Sequence, residues 1–162
     1  MKLDFQERMF DFLYSKGIKN FVGVPDSTLK KFISRGITKD HVLIATREEE
    51  AIGIAVGMLL CKKPALVFMQ NAGFANSLST ITSLVQLYKF PLIFLIGWRG
   101  YKKEDAPEHT KIGKIQPRLL KDIGLESRIL KVNNWRECCE WAIKRRQKGN
   151  MSALIIPREF VD

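Results

Sequence analysis

Six short stretches of this chain, 21–25, 42–46, 65–70, 92–97, 129–132 and 153–157, are apolar almost without interruption. A strand with one face in water alternates apolar and polar residues. A strand apolar on both sides belongs to a parallel sheet covered by helices. Between these stretches, 4–16, 27–35, 48–62, 74–88 and 134–148 carry helical patterns. That alternation predicts an α/β fold, an open doubly wound parallel sheet with helices on both faces. The 162 residues suit one domain, 1–162, and neither repeat nor linker divides it. With 46% apolar and 27% charged residues, the chain has the composition of a globular protein rather than a disordered one.

The longest run free of polar side chains is 51–61, too short to cross a bilayer. Asp4, Glu7 and Arg8 stand where a signal peptide needs its apolar stretch. Cys61, Cys138 and Cys139 form an odd set without a CxxC, and His41 and His109 are the only histidines. A cytoplasmic, reducing setting without membrane or zinc follows as the expectation. No GxGxxG follows a strand, and neither a phosphate-binding GxxxxGK[ST] nor a GxSxG occurs. The net charge of +10 and the run Lys144, Arg145, Arg146, Lys148 beside Trp135 and Trp141 permit nucleic-acid binding. Charge alone supports only nonspecific binding, and no recognition motif accompanies it, so the expectation is no nucleic acid. The run then serves as a solvated face or one that meets an acidic partner.

In open α/β sheets ligands bind beyond the carboxyl ends of the strands. The unusual residues collect there: Pro25-Asp26-Ser27, Arg47-Glu48-Glu49-Glu50, Gln70-Asn71-Ala72-Gly73 to Asn76, and Gly97-Trp98-Arg99-Gly100, with a polar loop holding Glu108-His109-Thr110 further on. Four polar clusters at one sheet edge predict a single site. Thr46 and Glu49 make a capping-box pattern, which assigns Glu49 to structure. Residues 51–61 are apolar on every side, so their helix is expected to be buried all round, with its amino end carrying carboxylates into a partly apolar site. Gly53 and Gly57 form a GxxxG that suits close packing against a neighbour.

Together these segments resemble the pyrimidine-binding domain of thiamine-diphosphate-dependent 2-oxoacid decarboxylases, and most of all the sulfopyruvate and phosphonopyruvate decarboxylase group. The resemblance rests on Gly23-Val24-Pro25-Asp26-Ser27, on Arg47-Glu48-Glu49-Glu50-Ala51 running to Gly57, and on Met69-Gln70-Asn71-Ala72-Gly73 to Asn76. It continues through PLIFLIGWRG and Pro107-Glu108-His109, in that order along nearly the whole chain. The resemblance implies that Glu48, in the pattern Glu-x-x-Ala, contacts N1′ of the cofactor's aminopyrimidine and activates it. It implies catalytic roles for Asp26 and His109, and cofactor contacts from Gln70, Asn71 and Gly73. Substrate contacts are expected from Asp26, Ser27 and His109. Ala72 and Ala75 depart from the Ser and Gly common in this loop.

The family holds the diphosphate through Mg²⁺ with a Gly-Asp-Gly motif and a downstream Asn-Asn. This chain has no Gly-Asp-Gly, and its Asn133-Asn134 lacks that upstream companion. The resemblance therefore implies an α-type subunit whose partner supplies the diphosphate-binding half and holds Mg²⁺, with the cofactor between them in a hetero-oligomer. The implied substrate is a small 2-oxoacid with a second anionic group, sulfopyruvate first and phosphonopyruvate as the alternative. Arg47, Arg99, Lys102 and Lys103 are candidates to meet that anion, and Arg99 leads because its guanidinium offers a fork of donors. A noncatalytic scaffold or regulatory subunit that kept the fold is the remaining reading.

Overall fold

The computed structural model describes residues 4–101 and 105–158. Its elements run α1 (Phe5–Ser15), β1 (Asn20–Gly23), a single 3₁₀ turn (Ser27–Leu29), α2 (Lys30–Ile37), β2 (Val42–Ile44), α3 (Glu48–Leu60) and β3 (Ala65–Gln70). There follow α4 (Asn71–Asn76), α5 (Leu78–Thr80) passing into a π-helical stretch (Ile81–Gln86), β4 (Ile93–Trp98), α6 (Pro107–Asp122), β5 (Ser127–Ile129), α7 (Trp135–Gln147) and β6 (Ser152–Pro157). The strands form one six-stranded sheet in the order β2-β1-β3-β4-β6-β5, every pair parallel.

In β1, β3, β4 and β6 the unbroken apolar runs are explained by two cores, one on each face of the sheet, whereas the edge strands β2 and β5, expected to be covered on both faces, leave Leu43, Ile44 and Ile129 exposed. Along β3, Leu66 and Phe68 enter the core shared with α1, α2 and α7. Ala65, Val67 and Met69 enter the core shared with α3, α4 and α6. Successive side chains point to opposite faces, so a strand covered on both sides has no place for a polar residue. The first core centres on Phe10, Phe21 and Phe32, whose ring centroids lie 4.4–5.6 Å apart. Each such buried side chain contributes about 1.5–3 kcal/mol. Cys138 and Cys139 lie in this core, and burial pushes both thiols up, so they serve as small apolar residues. Among the described residues no helix is long and apolar enough to cross a membrane.

Three further expectations need correction. The chain after β4 does not stay a loop as far as Gly113: from Pro107 it forms α6, masked in the sequence by Gly113 and Pro117. Pro117 has no N–H for the carbonyl four residues back, and that Gly113 oxygen instead accepts the indole N–H of Trp98 at 2.8 Å. Second, α3 is buried only through Ala51, Ile52, Ala55 and Val56; Gly53, Gly57 and Leu60 are exposed. Gly53 and Gly57 have no packing neighbour among the described residues, since a methyl group at either would meet nothing within 4 Å. Third, Glu49 caps nothing. Glu50 accepts the Thr46 N–H at 2.7 Å, while Glu49 pairs at 3.6 Å with the exposed Arg47.

Candidate active site

From β1 the chain passes outward to β2, then returns to lay β3 on the other side of β1. The crevice beyond β1 and β3 is thus a topological switch point, where the loops on either side diverge. Asp26, just past β1, and Gln70, the last residue of β3, meet across it: the Gln70 side-chain amide donates to Asp26 Oδ1 at 3.1 Å. Asp26 is 5% exposed, and its Oδ2 has no hydrogen-bond partner among the described residues. A buried carboxylate oxygen without a donor costs free energy, so a site of this kind calls for a ligand or water. Gly97 makes the geometry possible, because a side chain there would collide with Asp26 Oδ2 and crowd Thr28.

Glu48 opens α3 on the far side of β1 and is half-buried. Its carboxyl group lies against Gly73 of α4, where a Cβ would collide with Cγ, Cδ and Oε1 of the glutamate. The expected ligand contact at Gly73 thus has a structural counterpart: the absent side chain is what leaves room for Glu48. Asn71 is wholly buried, with both ends of its amide engaged. Nδ2 donates to the Arg99 carbonyl at 2.9 Å, and Oδ1 accepts the Arg99 N–H at 3.2 Å. Asn71 therefore ties the end of β3 to the end of β4 and positions Arg99.

The Arg99 fork is occupied as well. Its Nε and Nη2 donate to Asp105 at 2.8 and 2.6 Å, and Asp105 also accepts the backbone N–H groups of Gly100 and Ala106. Arg99 and those N–H groups hold the Asp105 carboxyl well below the usual carboxylate range, despite the opposing effect of burial. Nη1 of Arg99 remains and donates to Ser27 Oγ at 3.2 Å. Nothing in the sequence marked Asp105, one acid in a polar loop.

His109 lies in the first turn of α6, its carbonyl packed against Gly100, and its half-exposed side chain bonds to no described residue. Hydrogen bonds pair Asp26 with Gln70 and, separately, join Asn71, Arg99 and Ser27, with Glu48 held against Gly73 of the neighbouring α4. Among the described residues no side-chain hydrogen bond joins His109 to either group. Lys102 and Lys103 lie outside the described residues. At the far end of the molecule Trp141 is covered by the guanidinium groups of Arg128 and Arg145, at 4.9 and 5.6 Å, so its face is used within the chain.

Residues 3–122 match the family described as thiamine pyrophosphate enzyme, N-terminal TPP binding domain. The chain belongs to this family. Among relatives of this TPP-binding domain, the sulfopyruvate decarboxylase subunit alpha of Methanocaldococcus jannaschii is 35% identical over 115 residues, which are 69% of this chain and 68% of that one. Its counterpart in Methanococcus maripaludis is 31% identical over 120 residues, 72% and 71% of the two chains. The phosphonopyruvate decarboxylase of Streptomyces viridochromogenes is 34% identical over 107 residues, 64% of this chain but 27% of that longer one. The crystal structure of benzoylformate decarboxylase from Polynucleobacter necessarius shares the fold, with a TM-score of 0.72 at 19% identity, covering 97% of this chain and 30% of that one.

The donor set fits one end of thiamine diphosphate. A half-buried carboxylate beside a glycine and an orphaned carboxylate oxygen at the switch point suit an aminopyrimidine and a substrate. The sequence offers no Gly-Asp-Gly for the diphosphate end.

Proposed function

We propose that this chain is the α-type subunit of a thiamine-diphosphate-dependent decarboxylase that converts sulfopyruvate to sulfoacetaldehyde and carbon dioxide. The observation that carries this reading is Glu48: a carboxylate at the head of α3, half-buried and lodged where Gly73 leaves space. When bound, thiamine diphosphate supplies the nucleophilic carbon and the electron sink for decarboxylation. Glu48 holds a proton at N1′ of the aminopyrimidine. Asp26 and His109 serve proton transfer to the carbon that loses carboxylate, and Gln70 orients Asp26 through its 3.1 Å hydrogen bond. Ser27 and Arg99 contact the substrate.

A partner subunit with Gly-Asp-Gly and Asn-Asn holds Mg²⁺ and the diphosphate. It docks on the exposed face of α3, the helix that carries Glu48, where Gly53 and Gly57 leave the backbone bare. The relatives named as subunit alpha, matched over more than two thirds of their length, support a two-chain enzyme. The similarity to phosphonopyruvate decarboxylases makes phosphonopyruvate the second substrate to test. Cysteine usage supports a cytoplasmic setting.

The test is a pull-down with the tagged chain, followed by assay of the recovered complex with thiamine diphosphate and Mg²⁺, offering the two substrates separately. The expected result is a co-purifying chain with Gly-Asp-Gly and release of the aldehyde. A chain that stays alone and is inert with both 2-oxoacids would instead support a scaffold that kept the fold.

A further inference from the structure

Trp98 of β4 and Pro157 of β6 are register partners, so the residues that leave these neighbouring strands, Arg99 and Arg158, emerge side by side. Both reach the same hydroxyl. Nη1 of Arg99 donates to Ser27 Oγ at 3.2 Å, and Nη1 of Arg158 donates to it at 3.3 Å. Two N–H donors use both lone pairs of a hydroxyl oxygen, which leaves Ser27 only its O–H to offer. A hydroxyl forced to donate, set between two guanidinium groups, asks for an anion. Asp105 neutralises Arg99, and Asp26 and Glu108 act on Arg99 from nearby, so among the described residues the positive charge at Ser27 that pairs with no carboxylate is that of Arg158. Next to Ser27 lies a cavity of about 250 Å³, lined also by Pro25, Asp26, Lys30, Ile33 and Ser34, which adds a third cation.

We infer that Arg158, with Ser27 and Nη1 of Arg99, forms the seat for the non-reacting sulfonate or phosphonate of the substrate, and that Arg158 determines the preference for a 2-oxoacid with a second anion. This rests on the decarboxylase reading. Physical chemistry assigns the seat to the group that stays. The leaving carboxylate loses its charge in the transition state, so a cation fixed on it would favour the ground state and slow the reaction. The sulfonate or phosphonate keeps its charge throughout, and a cation on it strengthens binding without that penalty.

Two measurements test this. In the reconstituted complex, Arg158→Gln raises KM for sulfopyruvate roughly tenfold or more, as expected for a lost charged hydrogen bond. Arg158→Lys, which keeps the charge but loses the fork, falls between. Lys144→Gln, which removes a distant exposed charge of α7, leaves KM within about twofold of the wild type and so controls for general attraction. In the full chain alone, ethanesulfonate and methylphosphonate shift the NMR signals of Ser27, Arg99 and Arg158, whereas acetate at equal concentration does not. An unchanged KM in an active, normally melting Arg158→Gln enzyme overturns the inference, as do equal shifts with acetate. If no 2-oxoacid is turned over but the sulfonate-specific shifts persist, the decarboxylase reading fails while the anion seat stands. If turnover and shifts are both lacking, the seat falls too.

Discussion

Two pairs of glycines, one at the strand ends of the site and one on the helix that carries Glu48, differ in what surrounds them. Gly73 and Gly97 have no room for a side chain: a Cβ would collide with Glu48 at the first and with Asp26 at the second. At Gly53 and Gly57, on the outer face of α3, a Cβ would meet nothing within 4 Å among the described residues. The first pair makes space for two carboxylates. The second leaves a helix backbone bare, at a cost in helix propensity that no described neighbour offsets. An absent side chain thus has opposite meanings at the two places, and only the neighbours distinguish them.

Substitutions can break the contrast. Glu48→Gln is expected to abolish decarboxylation by the reconstituted complex while the melting temperature stays close to that of the wild type; retained activity would remove Glu48 from its assigned role. Gly73→Ala should lower turnover about tenfold or more by pushing the Glu48 carboxyl aside, with a stability loss on the order of 1 kcal/mol from overpacking. On the open face the outcome reverses. Gly57→Leu should leave the free chain as stable or up to about 0.5–1 kcal/mol more so, by the helix propensity regained, yet it should weaken co-purification with the partner. Melting curves and pull-downs on the same two variants separate the faces.

The Arg99–Asp105 pair sharpens the picture of the site edge. The Asp105 carboxyl is held below its ordinary value of 3.8, so its contribution to stability is fully present above that value and is lost as the pH falls below it. Asp105→Asn should cost on the order of 2 kcal/mol at neutral pH, and the gap between its melting curve and that of the wild type should narrow progressively as the pH falls below about 4. The smallest effects lie at the start of α3. Glu50→Ala loses the bond to the Thr46 N–H and roughly 0.5–1 kcal/mol. Glu49→Ala, whose only partner among the described residues is the exposed Arg47, should stay within about 0.5 kcal/mol. Equal losses would restore Glu49 as a cap.

Much of the architecture was legible in the residues because burial on both faces leaves a plain signature, and strands such as 65–70 have nothing else to be. The helix α6 was hidden because Gly113 and Pro117 are helix breakers by local preference; packing against α4 and the hydrogen bond from the Trp98 indole override them. The burial of α3 was misjudged because an all-apolar helix looks the same whether its second face meets its own chain or another. Within the site, Asp26, Ser27, Glu48, Gln70, Asn71 and Arg99 stood out as polar residues at strand ends. Their division of labour did not: that Asn71 is spent on the Arg99 backbone, and that Arg99 is tied to Asp105, follows from side-chain geometry.

The sequence by itself determined the parallel sheet and the edge on which polar residues gather, because hydrophobic periodicity and short motifs are local properties. Only the tertiary structure decided which glycines are crowded and which are bare, which arginine is neutralised, and that Arg158 stands beside Arg99. Strand register and crossover connections bring together residues as far apart as Ser27 and Arg158, and pairing at that separation leaves no local trace in the sequence.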